Sequence, residues 1–231
     1  YLYTFAVQKS TIMKRIALSK LQDWKNSLGR KPLIIRGARQ TGKTWLMKEF
    51  GKTSFNETIY INFENEPTLK NLFTQDYDIQ RILSTIQLYH GKKITPDDTL
   101  IIFDEIQAVE RGITSLKYFN ENAPQYAIIA AGSLLGISLH ENQSFPVGKV
   151  SFLDLYPLSF SEFLIASGKE MLCDMLQQNQ WAILEPFHNE LLNLLKTYLC
   201  VGGMPEVVQK WIDTKDYNEV RTIQHEILRS Y

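Results

Sequence analysis

Short, continuous apolar runs recur along the first two thirds of the chain, separated by stretches with helical spacing. Leu33-Ile34-Ile35 follows a proline and enters a turn at Gly37. Thr58–Asn62, Leu100–Phe103, Tyr126–Ala131 and a less regular run from Val150 to Tyr156 come after it. Each is too short for a helix and predicts a strand, and the continuous runs at Leu33–Ile35, Leu100–Phe103 and Tyr126–Ala131 predict strands buried on both faces. Between them, Ile16, Leu18, Leu21 and Trp24 share one face of a helix within Met13–Trp24. Ile79, Ile82, Leu83 and Ile86 do the same within Ile79–Tyr89, and Lys43–Phe50 predicts a further helix. Strands alternating with helices predict an α/β fold: five parallel strands in one sheet, with helices over both faces.

From Phe160 onward the pattern changes. Ser161–Ala166, Met171–Gln178, Phe187–Leu199, Met204–Ile212 and Tyr217–Leu228 all have helical spacing, and none alternates as a strand would. The expected organisation is therefore a short N-terminal arm or upstream sequence over residues 1–12, a core over 13–157, and a helical lid subdomain over 158–231. The last helix stops abruptly, which suggests truncation.

Composition narrows the class. The 231 residues carry 25 basic and 25 acidic side chains. A neutral balance gives no support to a dedicated nucleic-acid binder, whose affinity comes from a clustered positive surface. No apolar run approaches the ~18 residues needed to cross a bilayer, and the first ten residues lack the features of a signal peptide. The two cysteines, Cys173 and Cys200, lie in apolar surroundings and read as buried, reduced thiols of a cytoplasmic protein. The four histidines are scattered and do not form a zinc pattern.

The chemistry begins at Gly37-Ala38-Arg39-Gln40-Thr41-Gly42-Lys43-Thr44, which fits G-x-x-x-x-G-K-[ST] between an apolar strand and a helix. Glycines let the backbone turn so that its N–H groups converge on phosphate oxygens, and the following helix aims its positive end at the same point. Lys43 can reach the β- and γ-phosphates, and the Thr44 hydroxyl can ligate magnesium. Leu100–Phe103 then ends at Asp104-Glu105. A carboxylate at the end of a buried strand needs a compensating cation or donor, and Asp104 is placed to hold the magnesium water shell. Glu105 is placed to polarise an attacking water, the mark of a hydrolase. Ser133, after the fourth apolar run, is either a sensor of the γ-phosphate or an ordinary turn residue. Gln107 either orients the same water or faces solvent. No Asn-Lys-x-Asp element reads guanine, which favours ATP.

Together, LIIRGARQTGKT (33–44), DEIQ (104–107), AGS (131–133), YPLSFSEFL (156–164) and VGGMPEVV (201–208) resemble the AAA-type P-loop ATPases. The closer likeness is to prokaryotic members that carry a C-terminal domain of unknown function. The resemblance spans roughly Lys14 to Tyr231. It implies a three-layer α/β/α P-loop NTPase core with ATP and Mg2+ as cofactors, Glu105 as catalytic base with Lys43, and Ser133 as sensor. It also implies that Pro205, in Gly203-Met204-Pro205, packs on the adenine, while its position equally suits the first residue of a helix. Relatives often complete the site with an arginine from the helical region or from a neighbouring subunit. Here Gly148-Lys149 stands where they show Gly-Arg, with Arg39 and Arg111 as alternatives in this chain and a second copy or a protein partner as a further source of the arginine.

Overall fold

The computed structural model describes residues 15–132, 146 and 148–230. Two compact units divide the chain, one of Ala17–Tyr156 and one of Pro157 onward together with Arg15 and Ile16.

In the first unit the five apolar runs form one parallel sheet of order β2-β3-β4-β1-β5. Its strands are β1 (Leu33–Arg36), β2 (Glu57–Asn62), β3 (Thr99–Asp104), β4 (Ala127–Ala131) and β5 (Ser151–Asp154). The period of two along each strand sends alternate side chains to opposite faces. Leu100 and Ile102 pack with Leu33, Ile35 and Ile129 beneath α1 (Ala17–Asn26) and α2 (Lys43–Ser54). Ile101 and Phe103 pack on the other side with Ile59, Ile61 and Ile128, beneath α3 (Ile79–His90) and α4 (Gly112–Asn122). The unit is therefore the three-layer α/β/α fold that the pattern predicts. β3 is buried along its full length, as expected of a strand covered on both faces.

α4 has no counterpart among the predicted elements. It opens at Gly112 behind Arg111 in the left-handed conformation (φ +63°), with no capping side chain. Gly112 is needed there because a Cβ would lie 2.7 Å from the Ile106 carbonyl oxygen. Ile113, Leu116 and Phe119 nevertheless form its buried stripe. β5 is shorter than the predicted Val150–Tyr156, and its end is held to β1 by Arg36, which forks onto both oxygens of Asp154 at 2.9 and 3.1 Å.

The second unit is helical: α5 (Phe160–Ala166), α6 (Glu170–Gln177), α7 (Trp181–Leu184), α8 (His188–Val201), α9 (Pro205–Thr214) and α10 (Tyr217–Arg229). Its core gathers Leu158, Phe163, Val201, Val207, Val208 and Val220. Ser159 and Glu162 form a capping box at the start of α5, each side chain satisfying the other's backbone N–H. Gly203 passes so close to Leu158 that a Cβ would sit 2.2 Å from its carbonyl oxygen, while the Leu158 N–H donates to the Gly203 carbonyl at 2.6 Å. Cys173 is buried as expected, whereas Cys200 is exposed, because α8 turns that side outward; both thiols are free. No helix among the described residues is long and apolar enough to cross a membrane.

Candidate functional site

β1 ends at Arg36, and the chain turns at once into Gly37–Gly42 before α2 begins at Lys43. The turn is tight. A Cβ on Gly37 would lie 2.3 Å from the Leu155 carbonyl oxygen, so only glycine fits beside the chain leaving β5. Gln40 and Gly42 both take positive φ, +62° and +89°. For Gln40 this costs about 1 kcal/mol, which the surrounding loop must hold in place. Thr41, fully buried, donates its hydroxyl to the Ala38 carbonyl at 2.9 Å and closes the loop. Ala38, Arg39 and Gln40 form its exposed rim. Lys43 folds back across the loop, its ammonium donating to the carbonyls of Gly37 (2.9 Å) and Ala38 (2.8 Å). Burial lowers the Lys43 pKa, with Glu105 and Asp104 opposing that shift and Arg39 adding to it.

The alternation along β3 explains why Asp104 arrives here. It stands two residues after Ile102 and so projects toward α2, whose first turn carries Thr44. The Thr44 hydroxyl donates to Asp104 Oδ2 at 2.7 Å. Tyr60 Oη donates to the same oxygen at 2.8 Å, and the Glu105 N–H donates to Oδ1 at 3.1 Å. Asp104 is only 2% exposed. Its donors are all neutral, and no cation among the described residues lies within ion-pair distance. Burial and the bond to Asp104 push the Tyr60 phenol up to about 12, so it stays a donor.

Glu105 turns away from the strand in the left-handed region (φ +51°) and is half-buried. The Gln107 amide nitrogen donates to Glu105 Oε2, while Gln107 Oε1 is buried without a partner. The structure thus brings Gly37 to Thr44, Asp104, Glu105 and Gln107 to one edge of the sheet, beyond the carboxyl ends of β1 and β3. Ser133 lies outside the described residues. Pro205 lies in the second unit as the half-buried first residue of α9. Tyr60 was missed by sequence reasoning; its signal is the alternation Thr58, Tyr60, Asn62 against the buried Ile59 and Ile61.

Two of the cations considered for completing the site are engaged elsewhere. Lys149 pairs with Glu121 at 2.9 Å. Arg111 donates to Tyr77 Oη and the Thr74 carbonyl at 3.0 and 2.8 Å and lies over the Tyr77 ring. Among the described residues no cluster of three or more His, Cys, Asp or Glu could hold a metal by itself. Two hard oxygens, from Thr44 and Asp104, are what this edge offers a cation. That set fits magnesium, which is usually held by one or two protein oxygens together with substrate phosphates and water.

The family profile described as an AAA domain matches residues 29–164, more than half of the chain. No curated protein matches the sequence. Among solved structures, the Aeropyrum pernix Orc1 protein in complex with DNA is 12% identical, covering 65% of this chain and 46% of its own, at a TM-score of 0.41. Drosophila ORC bound to DNA is 14% identical, covering 92% and 66%, at 0.49. Cdc6p from Pyrobaculum aerophilum is 12% identical, covering 64% and 46%, at 0.36. The chain thus spans between about half and two thirds of the length of these structures.

Proposed function

This chain belongs to the AAA domain family of ATP-binding proteins, and on that premise we propose that it is a magnesium-dependent ATPase that couples ATP hydrolysis to conformational change. The observation that carries the reading is the 2.7 Å bond from Thr44 Oγ1 to Asp104 Oδ2. With its hydrogen committed to the aspartate, the threonine oxygen keeps its lone pairs for a cation, and Asp104 accepts from the cation's waters. Thr44 and Asp104 would hold magnesium here, and it would supply positive charge against the phosphoryl oxygens of the nucleotide.

The remaining roles follow from what each side chain now holds. Lys43 bonds to two neutral carbonyls; phosphate oxygens are stronger, charge-assisted acceptors, so nucleotide draws the ammonium onto the β- and γ-phosphates. The N–H groups of Gly37 to Thr44, at the positive end of α2, take the phosphate charge. Glu105 polarises the water that attacks the γ-phosphate in line, and the unpartnered Gln107 Oε1 is a second acceptor for that water. On the strength of the resemblance, Ser133 serves as sensor and Pro205 as adenine contact. Lys149 and Arg111 are held elsewhere, which leaves Arg39 on the rim of the loop, a second copy or a protein partner as the source of the charge that completes the site. Steady phosphate release from ATP by the intact protein, lost in Glu105→Gln with nucleotide binding kept, is the expected result. Equal release by the variant would contradict it.

The same engagement of Lys149 and Arg111 favours a second reading, a nucleotide-gated interaction module with little turnover of its own. It predicts that ATP changes hydrogen exchange in α5 to α10. Identical protection with and without ATP would count against it.

A further inference from the structure

We propose that Tyr60 is a positioning residue for the magnesium aspartate: its hydroxyl fixes the rotation of the Asp104 carboxylate so that Oδ2 faces Thr44. The inference rests on the ATP reading and extends it to a residue outside the phosphate loop and the acidic pair.

Asp104 ends β3, where a terminal carboxylate rotates in a broad torsional well. Its two oxygens are not equivalent here. Oδ1 accepts only the backbone N–H of Glu105 at 3.1 Å. Oδ2 accepts both side-chain hydroxyls, from Thr44 at 2.7 Å and Tyr60 at 2.8 Å. Thr44 reaches Oδ2 from α2 and also offers its lone pairs to the cation, so it does not by itself set the carboxylate against the sheet. Tyr60 does, because the fold fixes it from several directions. It stands on β2, which pairs with β3 in the register Tyr60↔Ile102 and Asn62↔Asp104, so the phenol reaches diagonally to the next strand's end. Alternation sends Ile59 and Ile61 to the opposite face, where both are buried, and leaves Tyr60 packed under α2. The Lys48 ammonium sits 3.8 Å above its ring, a cation–π contact that holds the ring plane. A phenol held this way turns a freely rotating carboxylate into a set one, before the cation arrives.

The outer side of the ring borders an open cavity of about 460 Å3, lined also by Lys48, Lys52 and Phe55. Loss of the hydroxyl alone therefore leaves the ring's packing under α2 in place. The test is the magnesium concentration that gives half-maximal binding of a fluorescent ATP analogue to the intact chain, with the unfolding midpoint measured alongside. Tyr60→Phe is expected to raise that concentration about tenfold, the scale of one hydrogen bond to a charged group, with the midpoint unchanged. Tyr60→Leu is expected to show the same magnesium shift with a lower midpoint. If Tyr60→Phe keeps the wild-type magnesium requirement while Tyr60→Leu raises it, ring packing is responsible and the inference is overturned. Nucleotide binding by the wild type without magnesium dependence overturns the inference and leaves ATP binding standing. No nucleotide binding by the wild type overturns both.

Discussion

Asp104 and Glu162 are the two carboxylates buried in this chain's described residues, at 2% and 5% exposure, and their surroundings are opposite. Glu162 is fully compensated. Its Oε1 accepts from Arg15 Nε at 3.0 Å and from the Ile16 N–H at 2.9 Å, and its Oε2 accepts from the Ser159 N–H at 2.9 Å. Asp104 has three donors and none is charged. A buried carboxylate left without a cation costs several kcal/mol, a cost that serves no purpose in a purely structural acid. Burial is the same in both places; Glu162 is closed by a direct ion pair, whereas the Lys43 ammonium that feels Asp104 bonds to the loop carbonyls instead. The same contrast runs through two phrases of the sequence: YPLSFSEFL builds a helix cap and an ion pair, while DEIQ carries the two acids to which the proposal assigns the cation and the water.

The comparison can be pressed from the strongest effect downward. Glu105→Gln isolates the acid beside Asp104: phosphate release should fall by about 10²- to 10⁴-fold, the usual contribution of a positioned base, with ATP affinity and unfolding midpoint kept. Glu162→Ala should do the reverse. It removes the carboxylate that faces the buried Arg15 guanidinium and should cost about 3 kcal/mol of stability, read as a lower unfolding midpoint. A smaller loss, about 1 kcal/mol, is expected for Ser159→Ala, which removes the N-cap of α5 and leaves the ion pair in place. Were Glu162→Ala to unfold no earlier than the wild type, the contrast between the two acids would fail on its structural side.

Much of this was legible in the sequence, and the gaps have physical causes. The apolar runs fix the strands because a strand covered on both faces has no polar alternative. The phosphate loop was readable because its glycines, lysine and threonine sit at fixed local spacing, whereas the neighbour that demands glycine at 37, the Leu155 carbonyl 2.3 Å from where a Cβ would lie, is set by the fold. α4 was not legible: it starts on glycine behind a left-handed Arg111, so the usual start signals are absent although Ile113, Leu116 and Phe119 keep the spacing. Tyr60 was hidden for a different reason. Its alternation was visible, but its bond to Asp104 depends on the pairing of β2 with β3 in a particular register, a non-local fact that no window of sequence contains. Likewise the S-x-x-E of Ser159 and Glu162 announces a capping box, while the ion pair to Arg15 spans 147 positions and only the fold reveals it.

The central claim is that Asp104, buried without a direct ion pair, is placed for a cation that comes with the nucleotide. Thermal unfolding of the wild type and Asp104→Asn, each with ATP, with ATP and magnesium, and without ligand, tests it most directly. Removing a buried charge that has no direct ion pair should leave the ligand-free midpoint of Asp104→Asn at or above that of the wild type. The extra stabilisation that magnesium adds to ATP in the wild type should vanish in the variant. A ligand-free midpoint well below the wild type, with the magnesium-dependent shift intact, would make Asp104 a structural acid like Glu162 and contradict the account.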